Sequence, residues 1–147
     1  MKAAILALRA QLARFPLSVI QLAMRIGVGA VFFRAGLLKY NSWEFTVQLF
    51  RDEYKVPLLD PVVAAQLAMT VELTVPVFLF VGLATRVATL PFLGMIAVIQ
   101  IFVYPNAWSD HLLWSSALVL ILTRGPGAFS IDHLLAPAIA RTATRVA

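Results

Sequence analysis

Arg25, Arg34 and Glu72 stand inside otherwise apolar runs of this sequence. A charge held in hydrocarbon is costly unless an opposite charge, water or a carbonyl neutralises it. Glu72 therefore needs a donor. Pro76, four residues further on, lacks the amide that would bond the Glu72 carbonyl, so a backbone acceptor is released beside the carboxylate. Arg25 and Arg34 are nine residues apart, about half a turn out of phase at roughly 100° per residue, so both cannot face one neighbouring helix. Arg25 shares a face with Gly29, Phe32, Gly36 and Lys39, and the two glycines admit another helix at close range. This company predicts Arg25 as the partner of Glu72, with Arg34 turned to water, a headgroup or another helix. Such a pair has two uses: a structural tie that sets helix register, or a carboxylate that exchanges protons with, or contacts, a quinone or solute in a midplane cavity.

A second group, Tyr104, Asp110 and His111, has the chemistry of a weak ligand site for copper or a quinone headgroup. The plainer reading is a polar helix start, with Asp110 favouring the positive amino end of the helix dipole. Ser130, Asp132 and His133 carry the letters of a hydrolase triad, but neighbours on one short turn lack the geometry for nucleophile, base and orienter. Gly125-Pro126-Gly127 reads as a helix stop, with Ser130 capping the segment that follows. The absence of cysteine removes thiolate metal sites and thiol exchange, and no glycine-rich phosphate loop is present. No catalytic residue and no resident metal are expected.

The elements that must position these groups are membrane helices. Of 147 residues, 61% are hydrophobic and 13% charged, and mean hydropathy is +0.89, which leaves too little polar surface for a soluble domain. The length accommodates four spans of about 20 residues. They are expected at about 18–38, 61–84, 87–104 and 108–123, in one all-α domain over 1–147: an antiparallel four-helix bundle in the bilayer. Asn41 and Glu44 resemble a capping box opening an interfacial helix at about 42–55, with Trp43, Val47, Phe50 and Tyr54 on one face, ended by Pro57 and Pro61. Leu8, Leu12 and Phe15 predict another interfacial helix beside Arg9 and Arg14, which also interrupt any signal peptide, and a third is expected at the C-terminus. Lys2, Arg9, Arg14, Arg86, Arg124, Arg141 and Arg145 fall on one side of this topology, whereas Lys39, Arg51 and Lys55 on the other are diluted by acids. The positive-inside rule then places both termini in the cytoplasm, with the chain in the inner membrane. His111 and His133 fall on opposite sides and cannot share an ion. The basic residues behind the net charge of +5 are scattered singly, which suits lipid headgroups and not nucleic acid.

Arg25-x3-Gly29-x2-Phe32-x3-Gly36-x2-Lys39, then Val56-Pro57, Glu72, Gly82-x2-Thr85-Arg86 and Gly125-Pro126-Gly127-x2-Ser130-x-Asp132 together resemble the DoxX family of small four-helix membrane proteins, from about Arg25 to His133. The run from Gln100 to Trp108, with His111 and Trp114, looks like a subgroup found beside biosynthesis genes for secreted copper-binding peptides. The family is named for a subunit linked to thiosulfate:quinone oxidoreduction, and some members are membrane partners in redox-stress complexes. The resemblance therefore implies a non-catalytic accessory subunit of a redox-stress or metal-stress membrane system, with protein partners in the bilayer. Its alternatives are a quinone-binding subunit of a membrane oxidoreductase and a small solute or proton carrier. Lacking cysteine, the chain needs a bound quinone or a partner for any redox role.

Overall fold

The structure, a computed structural model, describes residues 2–137, and Arg141 and Arg145 lie outside the described residues. Its helices are α1 (Lys2–Ala13), α2 (Leu17–Asn41), α3 (Trp43–Leu49), α4 (Pro61–Val81), α5 (Thr85–Val98) and α6 (Trp108–Arg124), and the backbone is helical again at 131–137. There is no strand among the described residues. Three helices are long and apolar enough to cross a membrane: Leu17–Asn41, Pro61–Val81 and Thr85–Val103, the last being α5 with the π-helical turn that continues it. This is a membrane protein. The 17-residue α6 is shorter than these three.

Local chemistry sets the limits of α4. The Asp60 carboxylate accepts from the amides of Val62 at 2.9 Å and Val63 at 3.4 Å, with Pro61 at the first helical position where its missing N–H costs nothing. At the other end Gly82 adopts φ +71° and the amides of Gly82 and Leu83 both return to the Phe78 carbonyl. The span thus stops at Val81, short of the expected 84. The expected capping box is also corrected: Asn41 closes α2, Ser42 is the junction, and no side chain caps the start of α3. That helix ends before Pro57 can act, through a π-helical turn at Phe50–Tyr54 closed by left-handed Lys55.

α2 packs on α4 and α6, and α5 packs on the same two helices. Their shared core holds Val28 and Phe32 of α2, Val75 and Leu79 of α4, Phe92 and Ile96 of α5, and Ala117 and Leu118 of α6. Phe32 stacks on Phe92 at 4.2 Å and meets Trp114 edge-on at 5.5 Å. A smaller core forms where Phe50, with Trp43, Val47 and Tyr54, covers Ala64 and Ala65 of α4.

The α2–α4 contact is closest at glycines. A Cβ on Gly36 would lie 2.9 Å from the Glu72 Cβ and 3.0 Å from the Leu73 side chain, and one on Gly29 would collide with the Phe80 ring. Small residues here let two helices approach without a hydrophobic drive from water. Gly36→Ala is expected to destabilise the fold by about 1–2 kcal/mol through overpacking, read as a lowered unfolding midpoint in detergent. Gly27→Ala, with open space around its Cβ, is the control that should not share the loss.

Candidate functional site

The glycine contacts define an antiparallel register in which Gly36 lies beside Glu72 and Gly29 beside Phe80. The residue that reaches Glu72 is then Lys39, one turn beyond Gly36. Its Nζ lies 2.8 Å from Oε1 and 2.7 Å from Oε2. The structure therefore does not make the Arg25–Glu72 pair anticipated from helix faces, nor does it use Arg34, which is exposed. Fourteen residues separate Arg25 from Lys39, about 21 Å along a helix at 1.5 Å per residue. Sharing a face did not mean sharing a depth.

Arg25 instead closes the opposite end of the α2–α4 contact. It is fully buried, donates from Nη2 to the Phe129 carbonyl, and has its guanidinium against Gly82, where any Cβ would overlap it. The acid acting on it electrostatically is Asp132, not Glu72. Asp132 also caps α5 from a distance. Its carboxylate accepts from the Ala84 amide at 2.7 Å, the Thr85 amide at 2.9 Å and the Thr85 hydroxyl at 2.8 Å, while its own amide donates to the Gly82 carbonyl at 2.9 Å. Gln21 reaches from α2 to the last carbonyls of α6, donating to Gly125 O at 2.9 Å. Ser130 Oγ accepts from the His133 amide at 3.2 Å, a local cap of the helical segment 131–137. Gly125–His133 is thus clasped over the α4–α5 turn.

Neither the distal cap nor Gln21 was assigned a role from sequence. The available signal was negative: α5 opens at Ala84, with no Ser, Thr, Asp or Asn in the capping position.

Between α4, α5 and the turn Phe50–Tyr54 that follows α3 lies a cavity of about 400 Å³, within the range of roughly 300–1,000 Å³ of small-molecule sites. Lys39 and Glu72 contribute its charged groups, Tyr54 and Tyr104 its hydroxyls, and Ala68, Val71 and Met95 part of its apolar wall. The lysine hydrogen bond goes to Oε1; Glu72 Oε2, though in ionic contact, is buried without a hydrogen-bond donor among the described residues.

Two π-helical turns touch beside this cavity, Phe50–Tyr54 and Ile99–Val103. Each ends in an amide that spans five residues, Lys55 N to Phe50 O and Tyr104 N to Ile99 O. Such turns rotate the residues that follow out of the helical phase, and here they bring Tyr54 and Tyr104 together edge-on at 5.7 Å. The Tyr104 hydroxyl then donates to Glu53 at 2.8 Å. Tyr104, Asp110 and His111 are not brought together by these contacts. His111 is buried with its Nδ1 on Gln100 Oε1, and Gln100 spends its amide nitrogen on the Pro105 carbonyl at 2.7 Å. Asp110 is exposed in the first turn of α6.

The profile of the DoxX family matches residues 20–105, which takes in α2 through the cavity and Tyr104. The chain belongs to the DoxX family. Comparison with curated proteins and with solved structures returned no match. Within the DoxX match, Gly29, Gly36 and Phe32 make the α2–α4 and core contacts, and Arg25 and Gly82 close one end. Thr85 is buried under Asp132, Arg86 and Pro57 are exposed, and Lys39 and Glu72 stand at the cavity. Gly125, Pro126, Gly127, Ser130 and Asp132 lie beyond the matched residues, yet in this DoxX chain they supply the clasp.

Proposed function

We propose that this chain is a four-span subunit of the inner membrane that serves a redox-stress or metal-stress system without catalysing a reaction of its own, and that it does so by holding a quinone-type ring in the cavity beside Lys39 and Glu72. Both termini would face the cytoplasm. Arg9, Arg14, Arg86 and Arg124 near the clasped end support that orientation, against an opposite end where Glu44, Asp52, Glu53 and Asp60 offset Arg51 and Lys55.

The observation that carries the ligand is the Lys39–Glu72 ion pair set in the wall of a largely apolar cavity. The lysine hydrogen bond to Oε1 leaves Oε2 able to accept a further donor, and the hydroxyl of a quinol is a donor of the right kind. The Lys39 ammonium could in turn donate to a quinone carbonyl, while Val71 and Met95 offer the ring an apolar surface. A bound quinone would link the chain to electron transfer carried out by a partner.

The test uses the purified protein in nanodiscs with a short-chain ubiquinone and its quinol. Saturable binding should raise the unfolding midpoint. Ala68→Trp, which fills the cavity wall, should weaken binding at least about tenfold, and Glu72→Gln should weaken the quinol more than the quinone. Absence of saturable binding, or equal binding by folded Ala68→Trp, rejects the cavity as a quinone site.

A further inference from the structure

Arg34, well inside α2, is used by none of these contacts. It is exposed on α2, seven residues before Asn41 and seventeen after Leu17, and no acid among the described residues pairs with it. The register places it level with the stretch of α4 between Glu72 and Phe80, inside a helix long and apolar enough to cross the membrane. Its guanidinium therefore starts at hydrocarbon depth on a lipid-facing surface. Escape to a headgroup is poorly directed. The nearer end of α2 is about 10 Å away at Asn41, but a helical side chain leaves its backbone leaning toward the helix start, which here is the far end.

The surroundings of Arg34 favour another helix. Ala23, Gly27 and Ala30 precede it on the same exposed face at helical spacing, and a Cβ built on Gly27 meets nothing within 4 Å. Small residues allow close backbone approach, and a neighbouring helix so placed would bring its side chains to the guanidinium.

A second copy of this chain cannot supply the missing charge. Of its seven acids, Glu72 is buried against Lys39; Glu44, Asp52, Glu53, Asp60 and Asp110 lie in α3, its π turn, the cap of α4 or the first turn of α6, and Asp132 is engaged in the clasp.

We propose that the Ala23–Gly27–Ala30–Arg34 face of α2 docks a transmembrane helix of a different protein that carries an aspartate or glutamate within the hydrocarbon, opposite Arg34. The proposal rests on α2 crossing the bilayer and not on a ligand in the cavity, to which α2 contributes Lys39 and not Arg34.

A photoreactive p-benzoyl-phenylalanine at Ala30, in intact cells that make the protein, tests it. The expected product joins Ala30 to a transmembrane helix of another protein with an acid at that depth. Its yield should fall at least about tenfold with Arg34→Leu, persist with Arg34→Lys, and return for Arg34→Asp when the partner acid is changed to arginine. Membrane abundance of each variant is measured alongside. Cross-links to phospholipid only, to a second copy, or to a helix without an acid would each overturn the proposal, as would a yield indifferent to Arg34→Leu in protein of normal abundance.

Discussion

Replacing Lys39 by methionine is expected to destabilise the fold by about 3 kcal/mol, because it leaves the Glu72 carboxylate buried with no counter-charge. The Glu72 side chain is 5% exposed and the Lys39 side chain 19%. That asymmetry places the loss at the lower end for buried pairs and makes the two single changes unequal. Glu72→Gln should cost less, since the more exposed ammonium that remains can turn toward the cavity or a headgroup. The double change Lys39→Met with Glu72→Leu removes both desolvated charges and should recover most of the stability lost in Lys39→Met. Reversible unfolding in mixed micelles, followed by far-UV circular dichroism, gives these values, and Glu72→Leu alone closes the cycle for the coupling energy. A Lys39→Met protein as stable as the parent, or a double variant no better than Lys39→Met, would show that the pair is not a structural tie. The same series separates fold from function: a stable Glu72→Gln protein that has lost its quinol response assigns the carboxylate to the ligand.

Asp132→Ala is expected to have an effect of similar size by a different route, about 2–4 kcal/mol. It removes a capping carboxylate with charge-assisted bonds to two amides and a hydroxyl at the start of α5. It also removes the acid that acts on buried Arg25. Ala84 is held at φ +47°, a left-handed conformation that a non-glycine residue keeps only when its surroundings enforce it. Without Asp132 the α4–α5 turn should relax, and the amides of Ala84 and Thr85 should exchange with solvent faster by at least about tenfold. Asp132→Asn keeps one acceptor oxygen and should fall between the two. Unchanged exchange at Ala84 and Thr85 in the alanine variant would contradict the capping role. Membrane helices are joined here by a polar clasp at one end, because backbone groups at a helix start need partners wherever the chain leaves them without a local cap.

What could be read from the sequence follows from the solvent each residue must meet. Long apolar runs admit only helices when the surroundings cannot hydrogen-bond the backbone, so the all-helical fold and its three long apolar helices are legible in the sequence. Asp60 and Gly82 fix the ends of α4 through local geometry, although the span was expected to run on to 84. The pairing of charges was not legible in the same way. Arg25 and Lys39 lie on one face of α2 and both satisfy the periodicity; the choice between them depends on how far α4 slides along α2. Gly36 and Gly29 settle that offset by admitting Glu72 and Phe80 at close contact, a fact of two surfaces meeting. The Asp132 cap and the meeting of Tyr54 with Tyr104 are also tertiary outcomes, since each joins segments about fifty residues apart. Local propensity carries no information about such distances, whereas packing does. The sequence alone determined that helices form and which charges need partners; only the tertiary structure decided which partner each charge reaches.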